Sequence, residues 1–181
     1  YRCRSCTLRR AANFFAIKSA SNGGSSKMDS NNTAHLTMAK AFFGTNHPLF
    51  YMFIISVGSV CDCHAEMTMP FSEQLSDRKG SLHRGALVTL LDTTCGLSIF
   101  SSLRSLELIA PIDFRVDFLR RIPSAVGLKA IVDCIGRTDT VAFITGRAVA
   151  EDSGELLATV TGSFAIGTMG PSFDSNEARG E

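Results

Sequence analysis

The sequence predicts an α+β fold in which an antiparallel β-sheet wraps around a long central helix. Residues 83–100 are typical of a helix that is apolar nearly all round, and a helix without a polar face is normally buried. Four strand candidates follow it, and Glu151-Asp152-Ser153-Gly154 between the last two is a hairpin signal. No helix is expected between these strands, so βαβ crossovers and a parallel sheet are excluded.

The elements before this helix are short. Apolar residues at helical spacing predict a helix over residues 36–43. The apolar segment Phe50–Val57 predicts a buried strand, and Gly58-Ser59 after it predicts a turn.

Residues 61–69 alternate between apolar and polar side chains, as in a strand with one buried face. His64 belongs to the polar set and is expected to be a surface histidine. A polar loop over residues 71–80 then leads to the long helix. The strands expected after the helix are Glu107–Leu119, Val126–Arg137, Val141–Glu151 and Leu156–Ile166.

The composition is that of one ordinary globular domain. The chain has 181 residues, of which 45% are hydrophobic and 19% are charged, and this length can bury a sizeable core. We expect a basic, disordered extension over residues 1–33, the domain itself over 34–168 and a C-terminal tail over 169–181.

The first 27 residues differ from the rest in charge. They include Arg and Lys but no acidic residue. Such a segment is typical of a mitochondrial transit peptide; alternatively, it is upstream sequence before a natural start at Met28, and the protein is cytoplasmic. The rest of the chain is mildly acidic, which argues against a nucleic-acid partner.

Membrane insertion and metal binding are not indicated. The apolar run Leu49–Val60 falls far short of the roughly 20 residues that a membrane span needs. The pair Cys3 and Cys6 lies far in sequence from the next cysteines, whereas a structural zinc site usually needs two close pairs in one module. We therefore expect reduced, structural thiols, no metal site and no cofactor.

Asp92 is the one carboxylate in the long helix. Burying an unpaired carboxylate is costly unless it gains hydrogen bonds or its pKa shifts. Asp92 is therefore either satisfied by the backbone or a threonine such as Thr93 or Thr94, or kept for chemistry. As a catalytic group it would attack an acyl carbon or activate a water molecule.

The N-terminus of the same helix offers a complementary group. The N–H groups around Arg84 and Gly85 lack intrahelical partners and lie at the positive end of the helix dipole, where they can stabilise an oxyanion. His83 and Asp92 are about 13.5 Å apart along the helix and roughly 900° apart in rotation, which predicts opposite faces. The two groups can meet only if two copies pack antiparallel across a two-fold axis.

This region resembles a known superfamily. Gly80-Ser81-Leu82-His83-Arg84-Gly85, followed by Leu90–Gly96, is similar to the G-x-x-H-G-G…L-x-D-x-x-x-G signature of the hotdog-fold acyl-CoA thioesterases, with the phenylacetate-degradation type as the closest branch. Three later segments also resemble this family: Pro111–Arg120, Gly136-Arg137 and Glu151–Ala158. The resemblance implies a hotdog fold that hydrolyses the thioester of an acyl-CoA in a homodimer or homotetramer.

The resemblance also assigns roles and shows departures. Asp92 takes the position of the catalytic carboxylate, Arg84 that of the glycine whose N–H forms the oxyanion hole, and His83 that of the histidine before it, with a catalytic or a positioning role. Asp77 stands where relatives have an Asn or Gln that helps to hold the thioester or the water. Pro111 stands where they often have a Ser or Thr that orients the water.

Several cations are candidates for binding the CoA phosphates through charge-assisted hydrogen bonds, although each alone is equally explained as a solvated surface residue. They are Arg84, Arg120, Arg121 and Arg137, with Thr138 beside the last. The alternative function is a hotdog protein that binds acyl-CoA without hydrolysing it. A dehydratase is disfavoured because a His-Phe-Pro-Gly type of motif is absent.

Overall fold

The computed structural model describes residues 48–103 and 107–168. Its elements in chain order are helix α1 (Pro48–Phe53), strands β1 (Ser56–Cys61) and β2 (His64–Met69), a 3₁₀ turn (Glu73–Leu75), helix α2 (Arg84–Phe100), and strands β3 (Ile109–Phe118), β4 (Leu128–Arg137), β5 (Val141–Ala150) and β6 (Leu156–Ile166). The predictions for residues 1–33, for a helix over 36–43 and for a tail over 169–181 lie outside the described residues.

The six strands form one antiparallel sheet in the order β1-β2-β4-β5-β6-β3. The long helix and the four strands after it lie where the sequence predicts them, so the α+β prediction is confirmed. Strands β1 and β3 are the two edges of the sheet. The N-terminus of α2 lies close to the end of β3, since Arg84 contacts Phe118.

Two predictions before α2 are wrong. The expected strand Phe50–Val57 is helical up to Phe53, since a proline at the first helical position favours a helix start. The hairpin turn lies at Asp62-Cys63 rather than at Gly58-Ser59, with Cys63 at a φ of 61°. Gly58 instead lies at an irregularity in the β1–β2 register, a common position for glycine within a strand.

Helix α2 packs with one side against β2, β4 and β5. Burying one leucine side chain contributes roughly 1.5–3 kcal/mol, so the leucines on this side anchor the helix to the sheet. The buried helix residues are Ala86, Leu87, Leu90, Leu91, Thr94, Cys95, Leu97, Ser98 and Ile99. The opposite side of the helix is open, because within one chain the sheet covers a single side.

The outer face of the sheet carries a polar cluster. Nδ1 of His64 lies 2.7 Å from a carboxylate oxygen of Asp133 on the neighbouring strand, and Lys129 pairs with Glu66 at 2.7 Å. The hydrogen bond to Asp133 raises the pKa of His64 above its ordinary 6.5, against the opposing effect of burial. His64 therefore lies on the outward face, as the alternation predicts, but it is partly buried and hydrogen-bonded to Asp133.

Within the described ranges, no helix is long and apolar enough to cross a membrane. The same residues contain no group of three or more His, Cys, Asp or Glu side chains arranged to hold a metal ion. Cys95 and Cys134 are buried free thiols.

Candidate active site

The first turn of α2 leaves one backbone N–H without an acceptor. His83 is the N-cap residue, and its Nδ1 accepts a hydrogen bond from the N–H of Gly85 at 3.0 Å. The carbonyl of His83 accepts from Ala86 at 2.9 Å and from Leu87 at 3.4 Å. Among the described residues, none accepts from the N–H of Arg84, which leaves this donor available.

The cap also fixes what each motif residue can do. Because Nδ1 of His83 accepts the Gly85 N–H, this nitrogen is unprotonated, and a neutral ring carries its hydrogen on Nε2. The N–H of Gly85 is engaged by the cap and cannot also serve a ligand in this conformation. The structure therefore gives His83 a positioning geometry and concentrates the donor function of the helix terminus on Arg84.

Asp92 lies on the open side of α2 and is exposed in the single chain. Partial desolvation by the surrounding protein nevertheless raises the pKa of this carboxyl above its ordinary 3.8. The expectation that Asp92 is buried within one chain is wrong, because the sheet contacts only the other side of the helix. Thr93 and Thr94 do not satisfy it either, since their hydroxyls donate to carbonyls four residues earlier, of Thr89 and Leu90.

Cys95 follows Asp92 by three residues, about one turn of the helix, but it is not an alternative nucleophile. It is fully buried. Burial, with a smaller contribution from the Asp92 charge, raises the pKa of its thiol far above its ordinary value. Cys95 is therefore a neutral core thiol, and Asp92 is the group on this helix that can accept a proton.

Arg84 and Asp92 lie eight residues apart on the helix, which corresponds to about 12 Å along the axis and roughly 80° of rotation. The rotation of about 100° per residue that predicts opposite faces for His83 and Asp92 does not extend to His83, because this residue precedes the helix with extended backbone. The axial distance still exceeds the size of a thioester group and a water molecule. One chain therefore cannot bring the Arg84 N–H and the Asp92 carboxylate to the same acyl carbon.

Asp77 shapes the loop that leads into α2. One of its carboxylate oxygens accepts hydrogen bonds from the N–H groups of Lys79 at 2.7 Å and Ser81 at 3.1 Å. These backbone donors, Ser81 first, hold the pKa of Asp77 below its ordinary value. Asp77 is thus an ionised turn residue, and as an acceptor it cannot supply the hydrogen bond that an Asn or Gln would donate.

The side chain of Arg84 is held by the sheet. Its guanidinium carbon lies 4.8 Å from the centre of the Phe118 ring at the end of β3, a cation–π contact. Sequence reasoning missed Phe118 as a site neighbour, because only the fold brings the end of β3 beside the start of α2.

The candidate CoA-binding residues beyond Arg84 fall into two groups within one chain, Arg120 with Arg121 and Arg137 with Thr138. Arg121 lines a cavity of about 440 Å³ together with Lys79, Ser81, Ile122, Pro123 and Ser124. Arg120 lies 3.4 Å from Glu155 in an exposed ion pair. Arg137 and Thr138 lie near the other end of β4, whose ten residues span about 30 Å. The hydroxyl of Thr138 serves its own hairpin, accepting from the N–H of Val141 at 3.0 Å.

The cavity beside Arg121 contains a polar group that the sequence did not indicate. Ser81 is only 3% exposed, and its Oγ has no hydrogen-bond partner. Ser124 donates to the carbonyl of Lys79 at 3.0 Å and retains acceptor capacity. Two cations, Lys79 and Arg121, thus line the cavity, which gives it a charge suited to an anion. In the sequence, the basic residue Lys79 in the loop was the one indication of an anion site here.

The chain shares its fold with known proteins. No protein-family model matches the chain. A Halobacterium salinarum protein named as a candidate esterase is 29% identical over 129 residues, which cover 67% of this chain and 85% of that protein. A thioesterase family protein of Silicibacter pomeroyi matches with a TM-score of 0.65 and 22% identity, over 74% of this chain and 96% of that one.

Two further solved structures share the fold. The PaaI protein of the phenylacetic acid degradation operon of E. coli matches with a TM-score of 0.67 and 19% identity, over 76% of this chain and 96% of that one. A hypothetical thioesterase of Streptococcus pneumoniae, solved with coenzyme A, matches with a TM-score of 0.56 and 17% identity, over 62% and 84%. At the level of the fold, these matches confirm the resemblance to the hotdog thioesterases, including the PaaI type.

Proposed function

We propose that this chain is an acyl-CoA thioesterase whose active site forms between two copies of the chain. The observation that carries the proposal is a pair of groups on α2, one at its N-terminal end and one on its open side. The Arg84 N–H has no acceptor among the described residues, and the Asp92 carboxyl has a raised pKa. An oxyanion donor and a carboxylate that accepts protons are the two groups that thioester hydrolysis needs.

The two-chain arrangement follows from the 12 Å between these groups. If two α2 helices pack antiparallel across a two-fold axis, the start of one helix lies beside the middle of the other, and two equivalent sites result. The open side of α2 suits such packing, because it carries Gly85 and Val88, small or apolar residues that allow close approach. Covering this side would also withdraw Asp92 further from water.

The reaction assigns each group one task. Asp92 of one chain takes a proton from a water molecule, whose oxygen attacks the thioester carbon; alternatively, the carboxylate attacks that carbon directly and water hydrolyses the resulting anhydride. In either route the carbonyl oxygen becomes an oxyanion held by the Arg84 N–H of the other chain. Collapse of the tetrahedral intermediate breaks the C–S bond, and CoA leaves as the thiolate, which takes up a proton.

The cavity beside the helix entrance is the proposed binding place for CoA phosphates. Lys79 and Arg121 supply positive charge there. Arg137 and Thr138, at the far end of β4, would join such a site only from another copy of the chain. Thioesterases among the structural neighbours, one of them solved with coenzyme A, support this choice of substrate class.

The decisive test removes the one free N–H. Arg84 is the first residue of α2, where proline is well tolerated, and His83 before it already has the extended backbone (ψ 142°) that a following proline requires. Arg84→Pro deletes the donor, whereas Arg84→Gly keeps it while also removing the side chain. Release of free CoA from a panel of acyl-CoAs should fall roughly 10²–10³-fold further in Arg84→Pro than in Arg84→Gly, the loss typical of one oxyanion donor.

Asp92→Asn is the complementary variant. It keeps the size of the side chain and removes the base, so turnover should fall by at least about 10²-fold while binding of the CoA product persists. If the wild type releases CoA no faster than Asp92→Asn but binds acyl-CoAs, the chain is a non-catalytic acyl-CoA-binding protein. That result would exclude the thioesterase proposal.

A further inference from the structure

Arg84 carries a positive charge that the proposed hydrolysis does not use. The reaction needs only its backbone N–H. The side chain is exposed, and no described carboxylate lies within ion-pair distance of its guanidinium, unlike Arg115 and Arg120, which pair with Asp117 and Glu155. A cation without a partner beside a reaction centre is a candidate for contact with the substrate.

The guanidinium is also held in place. It stacks on the ring of Phe118 with 4.8 Å between its carbon and the ring centre. Stacking on an aromatic face leaves the N–H groups at the edge of the guanidinium plane free, and this planar fork matches a carboxylate or a phosphate in two-point hydrogen bonding. Phe118 thus reduces the conformational freedom that the side chain must lose when it binds an anion.

The length of the side chain decides between these two anions. The N–H and the guanidinium belong to the same residue, so a substrate whose carbonyl oxygen lies on the N–H has its thioester carbon within one arginine side chain of the charge. An extended pantetheine arm has more than twice as many bonds between the thioester carbon and its first phosphate as arginine has between its backbone nitrogen and guanidinium carbon. The phosphates of the same CoA are therefore out of reach.

We propose that Arg84 selects acyl groups that carry a second carboxylate near the thioester, as in the CoA thioester of a short dicarboxylic acid. This inference rests on the proposed function, because it takes the Arg84 N–H as the oxyanion donor. The Asp92 carboxylate on the opposite side of the site would repel such an acyl group, and the Arg84 charge offsets that repulsion. An acyl group with an uncharged end forms no ion pair with the guanidinium.

The test compares substrates of equal length. We expect wild-type kcat/KM for glutaryl-CoA to exceed that for pentanoyl-CoA roughly tenfold or more, the ratio typical of a charge-assisted hydrogen bond. In Arg84→Gln this ratio should fall to about one or below, whatever happens to the absolute rates. Arg84→Lys should restore part of it, and Phe118→Leu should lower it by loosening the guanidinium.

Arg115→Gln is the matched control, since Arg115 is an exposed arginine on the same strand as Phe118 and pairs with Asp117 at 2.9 Å. It should leave the ratio unchanged. A wild-type ratio of one or below, or an equal ratio in Arg84→Gln, would overturn the proposal while leaving thioester hydrolysis intact.

If the wild type hydrolyses no acyl-CoA, the proposed function fails, and selectivity is then measured by binding. The probes are thioether analogues of glutaryl-CoA and pentanoyl-CoA, titrated by calorimetry. A Kd ratio that favours the dicarboxylic analogue in the wild type and disappears in Arg84→Gln supports the selection by Arg84. Equal Kd ratios in the two proteins refute it.

Discussion

The imidazole of His83 caps the helix that carries Asp92 by accepting the N–H of Gly85 at 3.0 Å. This one hydrogen bond divides the motif into a residue that positions the helix and a residue that faces the substrate. With Gly85 engaged and the next two N–H groups bonded to the His83 carbonyl, the donor capacity of the terminus rests on Arg84.

The cap should be measurable as stability. His83→Ala removes the acceptor for the Gly85 N–H and should lower the free energy of unfolding by about 0.5–2 kcal/mol, the usual loss for an N-cap. His83→Asn offers an oxygen in a similar place and should retain most of the stability. Urea denaturation followed by circular dichroism measures both. Equal stability of the wild type and His83→Ala would contradict the capping role.

The ionised carboxylate of Asp92 should lower the free energy of unfolding at neutral pH. Its folded-state pKa is raised by desolvation, so the ionised form is disfavoured in the folded protein, and this penalty is present above the raised pKa. The penalty disappears as the pH falls below the ordinary value of 3.8, where both states are protonated. Asp92→Asn should therefore raise Tm at pH 7 and lose this advantage in acid.

The control for this stability measurement is Asp113→Asn, an exposed carboxylate on β3. It should show no comparable gain in Tm at pH 7. A wild-type Tm equal to that of Asp92→Asn across the pH range would show that Asp92 is not desolvated in the assembled protein.

The raised pKa of Asp92 also predicts how kcat/KM depends on pH in the acid range. A base must be ionised to accept a proton, so kcat/KM should decline as the pH falls through the raised pKa of Asp92, with a midpoint above 3.8. Fixed-time assays of CoA release across the acid pH range locate the midpoint of this decline. A midpoint at or below 3.8 would argue against Asp92 as the base.

His64 should make stability depend on pH on the alkaline side. Its folded-state pKa is raised, chiefly by the hydrogen bond to Asp133, so its contribution is fully present below the unfolded value of 6.5 and is lost as the pH rises through the raised value. The free energy of unfolding should decline over that window. Asp133→Asn should flatten the decline, whereas Asp139→Asn, an exposed carboxylate at the β4–β5 turn, should not.

The shared site predicts complementation between two inactive proteins. Homodimers of Asp92→Asn and of Arg84→Pro should each lack a complete site. A mixed dimer contains one site with both groups intact, so an equal mixture, after unfolding and refolding together, should recover about a quarter of wild-type activity if chains pair at random. Absence of recovery in a mixture shown to contain mixed dimers would place both groups in separate sites.

The strands after the central helix could be read closely from the sequence. The alternation in Leu128–Arg137 and the hairpin signal at Glu151-Asp152-Ser153-Gly154 are local patterns, and β4, β5 and β6 follow them. Phe50–Val57 could not be read in this way, because a short apolar run suits a buried strand and a helix equally well. The proline at residue 48 favours the helix start there.

In the candidate site, too, some features follow from local sequence patterns and others only from the fold. Asp92 and Arg84 could be chosen from one helix and its motif. The contact of Arg84 with Phe118 and the cavity between Lys79 and Arg121 join residues at least 34 positions apart, and no local pattern reports such distances. The use of the Gly85 N–H by His83 is local, but it depends on a side-chain rotamer that the sequence does not specify.

By itself, the sequence determined that a long apolar helix precedes a run of antiparallel strands and that this helix carries one carboxylate and a donor terminus about 12 Å away. The tertiary structure decided that Asp92 lies on the open side of the helix. The physical reason is that hydrophobicity along a helix says which residues avoid water but not which surface covers them. The sheet buries one side of α2, and the other side, with Asp92, is left for a second copy, while the Arg84 N–H at the helix start is left for a substrate.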